Sequence, residues 1–161
     1  MPKFYKTASV PYTSKELFDL VADVAKYPDF LPFCTKTTIH ESSETHMVAD
    51  MHIGYKSFSG AFQSKVNKNA PYSLTMEQQH GSLKYLRSCW LFKDHMATLQ
   101  KTPPILQTST SVLQSQCTVE FMIDFEPSSW MIGKLITPIM NEMGEVMMQS
   151  FLNRAKVIYR P

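Results

Sequence analysis

Five histidines, His40, His46, His52, His80 and His95, are the side chains of this sequence best suited to moving a proton near neutrality or ligating a metal. They lie mainly in stretches that read as strands or loops and none stands in HxxH-type spacing, so surface imidazoles are the simpler account. General acid or base catalysis also has carboxylates to draw on, but it needs them facing an enclosed space. Glu120, Asp124 and Glu126 alternate with Val119, Phe121, Ile123 and Phe125, which puts the acids on the wet face of a strand. The three cysteines, Cys34, Cys89 and Cys117, are odd in number, far apart and free of CxxC spacing. That usage predicts reduced thiols in a cytosol-like compartment and disfavours zinc. No G-x-S-x-G, P-loop or dinucleotide fingerprint is present, which disfavours nucleophilic and nucleotide chemistry.

The elements that would have to hold any site fit a single domain spanning 1–161. A chain of 161 residues, 43% hydrophobic and 19% charged, is long enough for one substantial core. Sixteen Lys and Arg against fourteen Asp and Glu give a net charge of +2, without the broad cationic field of a dedicated nucleic-acid binder, and DNA is not an expected partner. The opening "MPKFYKTASV" has neither a secretory core nor a transit-peptide pattern. Apolar runs fall well short of the roughly 18–20 residues that span a bilayer.

Residues 3–10 read as a strand ending at Pro11. In "TSKELFDLVADVA", Thr13 and Glu16 have capping-box spacing, and Leu17, Leu20, Val21 and Val24 form one helical stripe. Pro28 and Pro32 then deny "YPDFLPFC" a continuous helix and favour short turns. A meander follows, with strands expected near 35–41, 46–54, 57–68, 72–80, 84–93 and 117–126. Phe58, Gly60, Phe62, Ser64 and Val66 share one face, so the sheet should be antiparallel and covered on one side. Residues 95–116 hold a Pro-Pro pair and many Ser, Thr and Gln, which predicts a long hairpin loop. Ser128 to Tyr159 carries the strongest helical pattern, with Ile132, Leu135, Ile136, Ile139, Met143, Val146, Met147 and Phe151 in step. Pro138 predicts a bend there or a break just before it.

A strand, a short helix, an apolar corner, a meander and a long terminal helix predict an α+β helix-grip fold, a curved antiparallel sheet wrapped around that helix. The fragments "VPYTSKELFDLVADVAKYPDFLPFC", "VADMHIGYKSF", "GSLKYLRSCWLF", "VEFMIDFE" and "FLNRAKVIY" resemble, in order and at compatible spacing, the coenzyme Q-binding START-like proteins, grouped with the polyketide cyclase-like proteins. The long polar stretch at 95–116 and Pro138 depart from the family pattern. The resemblance implies a hydrophobic tunnel between sheet and helix that takes up ubiquinone or a similar polyprenyl lipid, without catalysis, for respiration and ubiquinone biosynthesis. One bacterial branch is instead a ribosome association toxin, which binds the large subunit and blocks subunit joining. A polyketide cyclase-like enzyme is the third reading.

For a tunnel, the sequence offers Phe58, Phe62, Met76, Trp90, Phe121, Ile123 and Phe125 from the sheet and Ile136, Ile139, Met143 and Met147 from the helix. These residues would otherwise simply pack on one another. Tyr55, Tyr85 and Arg87 are candidates for a polar contact to a quinone carbonyl. Phe30, Leu31 and Phe33 form either a lipid-touching mouth or a corner that plugs the core, and Trp130 either a second membrane contact or a staple onto the sheet. No catalytic cofactor is expected, ubiquinone being the ligand, with transient contact at a membrane surface. The expected setting is the bacterial cytoplasm beside the inner membrane, or the matrix side of the mitochondrial inner membrane. A ribosome-binding surface would draw on Lys65 with Lys68, and on Arg154, Lys156 and Arg160.

Overall fold

The computed structural model describes residues 3–55, 58–81, 83–97 and 114–159. Seven strands form one antiparallel sheet: β1 (Lys3–Val10), β2 (Cys34–Ser42), β3 (His46–Tyr55), β4 (Phe58–Asn69), β5 (Ser73–His80), β6 (Tyr85–Ala97) and β7 (Gln114–Glu126). Their spatial order is β1-β7-β6-β5-β4-β3-β2, so the meander stays sequential and β1 closes beside β7. Helix α1 (Ser14–Ala22), a 3-10 turn at Val24–Lys26 and the single-turn α2 (Tyr27–Phe30) separate β1 from β2, and α3 (Trp130–Tyr159) ends the chain. This is the expected helix-grip arrangement.

Local chemistry fixes α1. The Thr13 hydroxyl accepts from the Glu16 backbone N–H at 3.1 Å while the Glu16 carboxylate accepts from the Thr13 N–H at 3.0 Å, a reciprocal cap. From β6, the Asp94 carboxylate accepts from the Ser14 N–H at 2.7 Å and also from the Ser14 hydroxyl. The predicted stripe of Leu17, Leu20, Val21 and Val24 is buried throughout.

The terminal helix differs from its sequence reading in two ways. Of the expected stripe, Ile132 and Leu135 are exposed; the buried line is Ile136, Met140, Met143, Gly144, Met148, Phe151 and Ala155. The first turns therefore lie beyond what the sheet covers. The helix also continues unbroken through Pro138. That proline and Lys134, whose carbonyl loses its donor, are both exposed, so water can serve the carbonyl. At Gly144 the helix meets β1: a Cβ there would lie 2.7 Å from the Phe4 ring. Only glycine permits that approach.

The loop expected at 95–116 gives up both its ends to the ladder, since His95 faces Gln116 and Ala97 faces Gln114. Residues 98–113 lie outside the described residues.

Candidate functional site

Geometry makes a cavity hard to avoid in this fold. Seven strands at about 4.8 Å spacing span roughly 29 Å, whereas a helix with its side chains is about 10–12 Å wide. Helix α3 packs mainly on β1 and β7, and α1 reaches over parts of β5 and β6. The concave surface of β3–β6 is left partly uncovered, and the space there is a cavity of about 80 Å³. A single water needs only about 10–15 Å³ of such space.

An aromatic stack forms one wall. Trp90 and Phe121 lie with ring centroids 4.1 Å apart, and Phe151 of α3 meets Trp90 edge-on at 5.1 Å. Met51 and Met76 come from the sheet and Met140, Met143 and Met147 from the helix, a flexible thioether surface suited to an irregular guest. Among the described residues that line the cavity there is no Asp, Glu, Lys, Arg or His. Its polar groups are few: Ser64, Gln78, Ser88 and the Tyr27 phenol. The Tyr27 hydroxyl donates to the Val21 carbonyl, and burial pushes its pKa far up. Burial likewise pushes the Cys34 and Cys117 thiols up to about 11, leaving both un-ionised near neutrality. The Ser64 hydroxyl is buried with no hydrogen-bond partner among the described residues, a state that costs about 1–3 kcal/mol.

Several sequence candidates meet at this cavity: Phe62, Met76, Trp90, Phe121, Ile123, Met143 and Met147 all line it. Phe125 and Ile136 are buried core away from it, and Ile139 is only half-buried. Phe58 opens β4 opposite Tyr55, and its side chain lies outside the described residues. The polar candidates are displaced. Arg87 sits on the convex face with Tyr85 and Cys89, because Leu86, Ser88 and Trp90 take the inward positions of β6. Tyr55 is half-buried at the end of β3, its ring edge-on to Phe33 at 6.3 Å. Sequence reasoning missed Ser64, Gln78 and Ser88 as cavity residues. The signal is in the alternation, which puts Ser64 on the same face as Phe62 and Val66.

The Pro-stiffened corner is a plug. Leu31 and Phe33 are 2% and 1% exposed, and the backbone is tied down by the Gly54 N–H donating to the Phe33 carbonyl at 2.9 Å. Phe30 is half-buried against Tyr27 and Phe151, with the Arg154 guanidinium 5.4 Å over its ring. Phe33 reaches the cavity only from the inside, as an end wall. An exposed apolar cluster lies instead at the start of α3, where Trp130 and Leu135 are each 74% exposed and the Lys134 ammonium sits 4.1 Å over the Trp130 ring.

A profile described as polyketide cyclase / dehydrase and lipid transport matches residues 10–152. The chain belongs to this family. Among curated relatives, the ribosome association toxin RatA of Vibrio cholerae serotype O1 is 32% identical, over 99% of each chain. The mitochondrial coenzyme Q-binding protein COQ10 of Drosophila melanogaster is 21% identical, over 95% of this chain and 58% of that one. Among solved structures, a START superfamily protein from Mycobacterium smegmatis superposes with a TM-score of 0.68 at 14% identity, covering 97% of this chain and 98% of that one. The START-like fold of the family is thus the fold of this chain, and the family's description extends to lipid transport. Among the described residues no helix is long and apolar enough to cross a membrane.

Proposed function

We propose that this protein is a non-catalytic carrier of ubiquinone or a related polyprenyl lipid, serving respiratory electron transport and ubiquinone biosynthesis. The observation that carries this reading is the cavity: enclosed by aromatic and methionine side chains, it has no charged side chain in its described lining. Each CH₂ moved from water into such a wall is worth about 0.8 kcal/mol, so even two isoprenoid units offset much of the cost of leaving a bilayer. A space of about 80 Å³ takes only part of such a molecule, which leaves the rest of the tail outside it. The coenzyme Q-binding relative lends further support. Against a cyclase-like reaction stands the scarcity of proton-transfer groups, since the serines and the Tyr27 phenol are poor acids and bases near neutrality. The start of α3, with Trp130, Met131 and Leu135 exposed beside Lys134, is the surface that meets the membrane during exchange.

The test is organic extraction of protein purified without detergent from a quinone-containing host, followed by mass spectrometry. Near-stoichiometric quinone is expected, with Trp90→Ala and Phe121→Asp losing it and Lys156→Ala keeping it. Equal retention in all three variants, or an extract empty even after incubation with quinone-loaded liposomes, overturns the carrier reading.

The name of the 32%-identical relative, a ribosome association toxin, favours a second reading; in the form the sequence resemblance implies, it is binding to the large subunit that blocks subunit joining. Its cationic candidates are thinly spread here: the Lys68 ammonium donates to the Ser43 carbonyl at 2.9 Å, and Arg154 lies half-buried over Phe30. Ribosome profiles recorded at low salt with added protein decide this reading, and unchanged profiles remove it.

A further inference from the structure

We propose that Ser64, Gln78 and Ser88 form a polar subsite that hydrogen-bonds a carbonyl oxygen on the uncharged head of the cavity's ligand. The inference rests on the ligand-binding reading above and adds which chemistry the head must have and where in the cavity it sits.

Strand register brings the three side chains together. Ser64 on β4 directly faces Gln78 on β5, and Ser88 on β6 faces Met76, which places it diagonally beside Gln78 on the same concave surface. Directly opposed side chains have Cβ atoms about 4.5–5.5 Å apart and diagonal ones about 7–8 Å, so one ring-sized head spans the group. The ladder is irregular at this point: Gln63 faces His80 while Ser64 faces Gln78, leaving Gln79 as an extra residue. Such bulges re-aim side chains next to functional sites.

The hydrogen-bonding capacity is specific. The Gln78 side-chain N–H donates to the Leu83 carbonyl at 2.7 Å, which anchors the β5–β6 hairpin and fixes the amide. Gly81 leaves the space that this amide occupies, for a Cβ there would lie 2.3 Å from Gln78 Oε1. The Ser64 hydroxyl, more than nine-tenths buried, has no partner among the described residues, so its proton is available to an acceptor inside the cavity. A carboxylate or phosphate head would need a cation beside it, and the described lining supplies none. What remains is a neutral acceptor: a quinone, ketone or ester carbonyl on an otherwise apolar body that lies along Trp90, Phe121 and Met143.

Three probes built on ten-carbon chains test this by isothermal titration of the full chain: decylubiquinone, decylbenzene and decanoate at pH 8. The wild-type protein is expected to bind decylubiquinone at least tenfold tighter than either of the others. Ser64→Ala should erase about tenfold of that preference while changing decylbenzene affinity by less than twofold, and Ser64→Thr, which keeps the hydroxyl, should retain it. The alanine variant should also melt at or above the wild-type temperature, because it removes an unpartnered buried hydroxyl. A Ser64→Ala protein that keeps the quinone preference, or weakens both neutral probes equally, overturns the subsite while leaving the carrier reading standing. Tighter binding of decanoate than of decylubiquinone overturns the neutral head. A wild-type protein that binds no probe overturns the carrier reading and this inference with it.

Discussion

Two stretches of this chain look alike on paper and have opposite fates. "YPDFLPFC" and the run from Pro127 to Leu135 are both short, contain proline and set large apolar residues among few charged ones. In the first, Leu31 and Phe33 are almost wholly buried; in the second, Trp130 and Leu135 stand in solvent. The difference lies in what each stretch faces. The corner packs between β2, the 3-10 turn and the distal half of α3, where Phe151 receives Tyr27 at 5.2 Å and Phe30 at 5.1 Å. Among the described residues, the start of α3 has no comparable partner across from Trp130. An apolar run therefore says that a surface wants covering, and tertiary placement decides whether the protein itself does so.

The most drastic way to break this comparison is to strike the corner. Phe33→Ala should cost about 3–5 kcal/mol in urea unfolding, and Leu31→Asp should leave the chain largely unfolded at room temperature. A Leu31→Asp protein that melts like wild type would return the corner to the role of an exposed mouth. Within α3 the contrast recurs at smaller scale. Gly144→Ala should cost about 1–3 kcal/mol because the new methyl meets the Phe4 ring, whereas Gly133→Ala, whose nearest neighbour is Pro127 at 3.2 Å, should stay within about 1 kcal/mol of wild type.

Substitution of Trp130 and Leu135 together by alanine should shift unfolding by no more than about 0.5 kcal/mol, yet lower vesicle binding roughly tenfold or more in a flotation assay. Unchanged flotation would remove α3 from the membrane-contact surface. The finest probe is thiol reactivity. Cys34, its pKa pushed up to about 11 by burial, should resist iodoacetamide at pH 8.5, while a Met131→Cys variant should react as a free thiol does. Burial favours the neutral thiol, so the native protein holds a proton that the unfolded chain releases from its ordinary value of 9.0. The Cys34 and Cys117 contributions to stability are thus complete below about pH 9 and fall away as pH rises towards 11. Equal stability of wild-type and Cys34→Ser proteins across that window would show the thiol to be solvated.

Periodicity carried the sheet well: β1 was legible to the residue, and the inward set on β7 is the set that alternation places there. The capping box and the stripe of α1 were equally plain, because both are local. What local pattern could not convey was coverage. Ile132 and Leu135 keep helical step with Ile136 and Met143, but whether a strand lies beneath them depends on where α3 crosses a sheet folded from distant segments. The same blindness hid the polar end of the cavity. Tyr85 and Arg87 were attractive by residue type, yet the phase of β6 turns them outward and leaves Ser88 inside. Parity along each strand carries more information about such a site than the chemistry of its most conspicuous residues.

The pairing of β1 with β7 also sets a timetable. Lys3 to Val10 find their ladder partners among Asp124 to Cys117, so β1 is made well over a hundred residues before its sheet neighbour is complete. Loop closure over more than a hundred residues comes before that pairing returns any stabilisation, and folds dominated by such long-range contacts form slowly. During synthesis β2 to β5 can zip as consecutive hairpins while the N-terminal strand waits. The part of the apolar concave face that α1 does not reach stays bare until α3 arrives, and this interval is when the chain is most exposed to misassociation.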